Sequence, residues 1–152
     1  MAGWIFLSIV FFAVLAFLVI MRRIESSRIE RKFNKDEVVI TSYGVNYFGL
    51  SSEKGRIPRS SGILVLLKDA IYYRARFSKR ELLIPGKSIR SLKVVETHKG
   101  KPLYQKSIAI DFINNDGTLD TAAFRIPFPA QWLGAIKRYL LEDKKIDIRT
   151  EN

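Results

Sequence analysis

The sequence predicts a mainly β protein, in which a barrel of about seven antiparallel strands is capped by a C-terminal α-helix and preceded by an N-terminal transmembrane helix. Three observations support this prediction. The chain begins with an uninterrupted apolar run. Short apolar segments separated by turn residues then follow at regular intervals, and the last part of the domain changes to helical periodicity.

The apolar run from Trp4 to Met21 is interrupted only by Ser8. As an α-helix it spans roughly 27 Å, close to the thickness of a bilayer's hydrocarbon core. A cleaved signal peptide needs positive charge before the run, whereas here the basic pair, Arg22 and Arg23, follows it. A buried core helix is the other alternative, but a domain this small cannot enclose a helix that is apolar on every face. We therefore expect residues 1–21 to be a transmembrane anchor.

Residues 22–36 form a basic juxtamembrane linker, which we expect to continue as a helix. Basic residues beside a span are retained in the cytoplasm, so the orientation predicted is N-terminus outside and C-terminal domain cytoplasmic, in the cell (inner) membrane. The cluster has two readings, a clamp on anionic lipid or an ordinary topology signal. Its members are Arg22, Arg23, Arg28, Arg31 and Lys32.

Residues 37–143 carry the strand pattern, and residues 144–152 form a polar tail that we expect to be frayed. Turn residues such as Pro85-Gly86 and Asn115-Asp116-Gly117 separate the strands. The predicted strands are Val38–Thr41 (continuing through Val45–Leu50), Ile63–Leu67, Ile71–Phe77, Glu81–Pro85, Ser91–His98, Lys106–Ile113 and Asp120–Ile126.

Alternation within the third of these strands predicts two distinct faces. An apolar face contains Ile71, Tyr73, Ala75 and Phe77, and a basic and aromatic face contains Tyr72, Arg74 and Arg76.

The C-terminal helix is predicted from a proline and an apolar stripe. Pro129 suits the first helical turn, where its missing N–H is harmless. The apolar residues that then recur at helical spacing are Trp132, Leu133, Ile136, Tyr139 and Leu140. We expect Trp132 to be buried as a plug against one end of the barrel.

The order of strands and terminal helix resembles the pleckstrin-homology (PH) superfold and its GRAM-like relatives. Several stretches are similar to an uncharacterised group of bacterial proteins in which one membrane anchor precedes a PH-like domain. These stretches are Val45–Leu50, Gly62–Leu66, Arg80–Pro85, His98–Lys101 and Asp120–Ala123. The resemblance covers roughly residues 37–141 and implies a binding or scaffolding module with no known activity. Where the family pattern has an acidic residue before Pro129, this chain has Phe128, which predicts a weak helix N-cap.

Composition and spacing argue against an enzyme, a metal site or a cofactor. The chain has no Cys and one His, His98, which we expect at the surface or in a turn. Gly86-Lys87-Ser88 lacks the earlier glycine of a phosphate-binding loop, because Glu81 occupies that position. Asn114 begins a segment without the carboxylate spacing of a calcium loop, so a hairpin turn explains it better.

The basic balance of the chain predicts an anionic partner. It has 26 Lys+Arg against 15 Asp+Glu, a net charge of +11. No nucleic-acid-binding motif is present, so we expect no nucleic acid. Anionic lipid headgroups or an acidic protein fit better, and a merely solvated basic surface remains an alternative. The candidate contact residues are Lys54, Arg56 and Arg59 in the loop after the first strand, with Arg74 and Arg76 on the next hairpin.

Two functions from different classes follow. The first is a membrane-tethered, non-catalytic binding module that recruits a protein partner or contacts anionic lipid. The second is a structural accessory subunit of a larger membrane complex, whose span packs on other helices through phenylalanines. These are Phe6, Phe11, Phe12 and Phe17.

Overall fold

The structure is a computed structural model that describes residues 2–55, 57–142 and 148–150. The chain divides into two compact units, Met1–Lys35 and Asp36–Asn152.

The first unit is a single long helix, α1, from Ala2 to Lys32. It is long and apolar enough to cross a membrane, with a mean hydropathy of 2.9 over its most apolar window. The Ser8 hydroxyl donates a 2.9 Å hydrogen bond to the carbonyl of Trp4 one turn earlier, so the polar residue in the run is satisfied within the helix. The apolar run and most of the basic segment after it therefore form one continuous helix.

The described strands of the second unit form one eight-stranded sheet in the order β4-β3-β2-β1-β7-β6-β5-β8. The first seven strands pair antiparallel, as predicted. Helix α2 follows β7 and runs from Pro129 to Leu140. The strands are β1 Val38–Leu50, β2 Ser60–Leu67, β3 Ala70–Ala75, β4 Glu81–Pro85, β5 Ile89–His98, β6 Lys101–Ile113, β7 Leu119–Arg125 and β8 Ile148–Thr150.

Strand β8 is a feature that the sequence did not predict. It lies in the predicted polar tail and pairs in parallel with β5. The expectation of a frayed tail is wrong for residues 148–150, because the edge of β5 offers them backbone hydrogen-bonding groups. For residues 144–147, 151 and 152 that expectation lies outside the described part of the chain.

Strand β1 joins the two halves of the sheet. Its segment from Val38 to Tyr47 pairs with β2, and its segment from Asn46 to Leu50 pairs with β7. The register shifts between Tyr43 and Val45, where Gly44 has a φ of 69°. Glycine adopts this conformation without steric cost, so β1 continues past Gly44 as one strand, as the sequence indicated, with an irregularity at that residue.

Helix α2 covers the main hydrophobic core of the domain. Its residues Trp132, Ile136 and Leu140 are buried in the same cluster as inward-facing side chains of the sheet. The indole Nε1 of Trp132 donates a 2.8 Å hydrogen bond to the hydroxyl of Ser42 on β1. The prediction that Trp132 is buried is confirmed. Phe128 precedes the helix in a left-handed conformation and makes no side-chain capping bond, consistent with the weak N-cap predicted.

A second, smaller apolar cluster involves the loop between β1 and β2. Ile57 of that loop packs against it. The β1–β2 loop therefore carries its own buried contacts and is held against the domain by apolar packing. The buried members of the cluster are Phe48, Val95, Leu103, Ala109 and Ala123.

The two faces predicted for the third strand differ from those observed. Strand β3 ends at Ala75, and Phe77 is exposed in the β3–β4 turn instead of facing the core. Tyr72, expected on the basic and aromatic face, is buried. Alternation alone therefore did not indicate how exposed either aromatic residue is.

Candidate functional site

The β1–β2 loop is anchored at its start by the buried carboxylate of Asp120. One carboxylate oxygen accepts hydrogen bonds from the Ser51 hydroxyl at 2.7 Å and the backbone N–H of Ser52 at 3.0 Å. The other accepts a 2.5 Å hydrogen bond from the Ser52 hydroxyl. Asp120 is only 1% exposed. Burial alone would raise the pKa of Asp120, but the hydrogen bonds lower it by more than burial raises it. The pKa therefore lies below the ordinary value, and the side chain is a carboxylate.

Glu53, the residue after Ser52, connects the β1–β2 loop to two other turns. Its carboxylate accepts a 2.5 Å hydrogen bond from Nη2 of Arg80, at the end of the β3–β4 turn. Its backbone carbonyl accepts a hydrogen bond from the ammonium group of Lys99, in the β5–β6 turn. We call this meeting point of three turns the Glu53 junction.

His98 contacts the same region through a hydrogen bond to the backbone of β1. The prediction that His98 lies at the surface is wrong, because the side chain is buried. The side chain is only 6% exposed, and its Nε2 lies 3.1 Å from the carbonyl oxygen of Gly49. Because a carbonyl only accepts, Nε2 carries the proton. Burial lowers the pKa of His98. The imidazole therefore acts as a neutral structural donor.

Gly49 permits the close approach that Glu53 requires. It has a φ of 85°, and a Cβ built there would lie 2.7 Å from Oε2 of Glu53 and 2.8 Å from the ring of Pro58. A side chain at this position would therefore displace the β1–β2 loop.

Tyr47 contacts the Glu53 junction through the guanidinium of Arg80. The guanidinium of Arg80 is 5.6 Å from the centroid of its ring, within the range of a cation–π contact. Burial and the nearby Glu53 carboxylate raise the pKa of Tyr47 well above its ordinary value. The phenol therefore stays protonated and is unsuited to act as a base.

A second polar group links β5, β6 and β7. Asp111 accepts hydrogen bonds from Ser91 at 2.5 Å and Thr121 at 2.6 Å, and it lies 3.0 Å from the ammonium group of Lys93. Burial raises the pKa of Asp111, but these partners lower it below the ordinary value. Both buried aspartates are thus fully engaged carboxylates that tie strands and loops together. Within the described ranges, no group of three His, Cys, Asp or Glu side chains could hold a metal ion.

The two sequence motifs rejected as ligand sites are structural. Gly86–Ser88 is a 3₁₀ turn that leads directly into strand β5, where a phosphate-binding loop would lead into a helix. The Asn114 side chain accepts hydrogen bonds from the backbone N–H groups of Asp116 and Thr118 and closes the β6–β7 hairpin.

The candidate basic residues fall into three groups. Lys54 and Arg59 are exposed on the β1–β2 loop, and Arg56 lies outside the described residues. Arg74 is half-buried and forms an ion pair with Glu81 across β3 and β4. Arg76 is half-buried in the β3–β4 turn. The basic residues of α1 are exposed: Arg22, Arg23, Arg28, Arg31 and Lys32.

The Glu53 junction brings the β1–β2 loop next to the β3–β4 turn, as a shared basic surface requires. Sequence reasoning missed Glu53, because an acidic residue in a basic loop carries no local signal of its distant partners. It also missed the exposure of Phe77, although the basic residues around it, Arg76 and Lys79, indicate a turn as readily as a strand.

Comparisons with known proteins support the fold. No family model matches the sequence, and no curated protein matches it. Among solved structures, the chain is similar to the Vps36 N-terminal PH domain, with a TM-score of 0.51 and 13% identity over 71% of this chain and 81% of that one. It is also similar to a chain of the 8S snRNP assembly intermediate, with a TM-score of 0.51 and 9% identity over 78% of this chain and 90% of that one. The second unit therefore has a PH-like fold, as predicted.

Proposed function

We propose that this protein is a membrane-tethered, non-catalytic binding module, in which α1 crosses the cell membrane once and the PH-like domain contacts an anionic partner in the cytoplasm. The observation that carries the proposal is the presence in one chain of a PH-like domain and a helix apolar enough to span a bilayer. The sequence motifs favour kinship with bacterial GRAM-like domains that follow a single anchor.

The orientation in this proposal rests on the basic residues at the end of α1. Arg22, Arg23 and Arg28 are exposed within the two turns that follow the apolar run. Such residues are retained on the cytoplasmic side during insertion, so the domain would be cytoplasmic.

The binding surface in this proposal is the basic end of the domain around the Glu53 junction. Lys54 and Arg59 are exposed there, and Arg56 lies between them in the sequence. Arg74 and Arg80 already pair with Glu81 and Glu53, so they hold the surface in place more than they offer charge to a partner. An anionic lipid headgroup or an acidic protein segment is the chemistry that this surface would attract.

Membrane fractionation combined with protease protection tests the proposal. We expect the full chain to remain in the pellet after alkaline carbonate extraction. In inverted vesicles, protease should remove the domain, while right-side-out vesicles should protect it. Extraction into the soluble fraction, or the reverse protection pattern, would contradict the tether or its orientation.

A structural accessory subunit is the second candidate function. The phenylalanines of α1 are all exposed and available to neighbouring helices: Phe6, Phe11, Phe12 and Phe17. Replacing residues 1–21 with an unrelated span separates the two functions. A binding module keeps its associations after this replacement, whereas a subunit that packs through its span loses them.

A further inference from the structure

Strand β4 is an edge strand, and in the described part of the chain it pairs with β3 alone. Hydrogen-bonded and non-hydrogen-bonded residue pairs alternate along an antiparallel ladder. The N–H of Ala75 donates to the carbonyl of Arg80, and the register of β3 and β4 is regular. Leu82 and Ile84 therefore direct their backbone groups to β3, whereas Leu83 directs its N–H and carbonyl to the outer edge of the sheet.

The ends of β4 disfavour pairing of this edge with a second copy of the chain. In a symmetric antiparallel pair centred on Leu83, Glu81 of each copy would lie opposite Pro85 of the other. Because proline has no N–H to donate, such a ladder would lack a hydrogen bond at both of its ends. A segment of a different protein meets this defect at one end only.

A groove of about 380 Å³ lies between β4 and the β6–β7 hairpin. Leu83 at its margin is 53% exposed, and Leu119, the cross-strand partner of Ile113, is 62% exposed. Single exposed apolar residues are common on protein surfaces, but here an exposed leucine, a groove and an edge strand coincide. The apolar residues that line the groove are Leu50, Leu82, Leu83, Pro85, Phe112 and Ile113.

The groove is acidic, although the chain has a net charge of +11. Among the described residues that line it, there is no lysine or arginine, whereas Asp116 and Asp120 are both present. Asp120 is engaged with Ser51 and Ser52. Asp116 is exposed and forms no ion pair with any described residue. The Asn114 side chain accepts a 2.9 Å hydrogen bond from the N–H of Asp116 and so fixes the hairpin. Charge complementarity therefore selects a cationic occupant.

We propose that the outer edge of β4 and this groove bind an extended basic segment of a partner protein by strand addition. The backbone of the segment pairs with Leu83, its apolar side chains enter the groove, and a lysine or arginine lies beside Asp116. Main-chain hydrogen bonds then supply affinity, and alternate side chains supply specificity. The occupant has the opposite charge to the partner proposed for the basic end of the domain. The groove is therefore a second binding surface and does not depend on the proposed function.

Fluorescence anisotropy of a labelled peptide, titrated with the full chain in neutral detergent micelles, tests the proposal. The probe is a nonapeptide in which lysine and valine alternate, and empty micelles give the background. We expect saturable binding by the wild-type chain. Asp116→Lys should weaken this binding several-fold. Asp69→Lys is the matched control, because it makes the same change of charge at an exposed aspartate in the β2–β3 turn and should change little.

Two substitutions at Leu83 distinguish strand addition from apolar contact alone. Leu83→Ala shortens the side chain and keeps the outward N–H, whereas Leu83→Pro also removes that donor. We expect Leu83→Pro to weaken binding of the peptide more than Leu83→Ala does. Circular dichroism shows whether each variant keeps the wild-type fold. Should Leu83→Pro fail to fold, the comparison of Asp116→Lys with Asp69→Lys still decides the outcome.

Four results would overturn the proposal. Absence of saturable binding by the wild-type chain, or equal affinities of Asp116→Lys and Asp69→Lys, would exclude the groove as a site for a basic segment. Equal affinities of folded Leu83→Pro and Leu83→Ala would exclude strand addition. A wild-type dimer, detected in micelles by light scattering and dispersed by Leu83→Pro, would assign the edge to a second copy of the chain.

Discussion

Arg80 donates a 2.5 Å hydrogen bond to the carboxylate of Glu53, and this ion pair joins two turns whose residues lie 27 positions apart in the chain. The carbonyl of Glu53 also accepts a hydrogen bond from Lys99 of a third turn. One acidic residue thereby organises the basic end of the domain. The geometry of this surface depends on a residue whose charge is opposite to that of the surface.

Glu53→Gln should therefore loosen the junction. Because both side chains are partly exposed, we expect a loss of only about 1 kcal/mol in the free energy of unfolding. Urea denaturation followed by circular dichroism measures this loss. Glu96→Gln, at an exposed glutamate of β5, is the control and should change little. Equal effects of the two substitutions would show that the ion pair between Glu53 and Arg80 contributes no stability.

Gly49→Ala should destabilise the domain more than Gly100→Ala. Both glycines have positive φ values, 85° and 71°, so a side chain at either site adds about 1 kcal/mol of backbone strain. Only at Gly49 would a Cβ collide with Glu53 and Pro58, whereas nothing lies within 4 Å of a Cβ at Gly100. We expect overpacking to cost roughly a further 1–3 kcal/mol at Gly49. Similar unfolding free energies for the two variants would contradict this steric explanation.

The stability of the domain should fall in acid because of Asp111 and Asp120. Folding lowers the pKa of both carboxyl groups. Their contribution is therefore complete above the ordinary carboxyl pKa of about 4 and is lost as the pH falls through the lowered folded values. Asp120→Asn should reduce stability at neutral pH and weaken its dependence on pH below about 4. Urea midpoints across that range measure this, with the exposed Asp116→Asn as control. A wild-type pH dependence in Asp120→Asn would exclude the mechanism.

Trp132→Ala should be the most damaging substitution in α2. It removes a fully buried ring and leaves a cavity, which we expect to cost about 3–5 kcal/mol. Tyr139→Ala removes a partly exposed ring from the same helix and should cost much less. Thermal unfolding followed by circular dichroism compares the two. A small loss for Trp132→Ala would mean that α2 contributes little to the main core.

The local pattern was sufficient for most elements of the fold. Strand β4 has the bounds that its flanking turn residues indicated, from Glu81 to Pro85. Pro129 marks the first residue of α2, because a proline needs no partner for a missing N–H there. The pattern failed at Phe77, since alternation does not show where pairing with the neighbouring strand stops. It failed at His98 because a buried hydrogen bond to a distant carbonyl leaves no trace in the adjacent residues.

The sequence alone determined the apolar helix, the antiparallel strands and the closing helix, because hydropathy, side-chain periodicity and turn chemistry depend on residues close together in the chain. Only the tertiary structure decided which distant residues contact one another at the basic end of the domain. Ser51 and Ser52 meet Asp120, and Glu53 meets Arg80 and Lys99, because β1 pairs with both halves of the sheet. Contacts between residues so far apart depend on strand pairing, and no short segment encodes that pairing by itself.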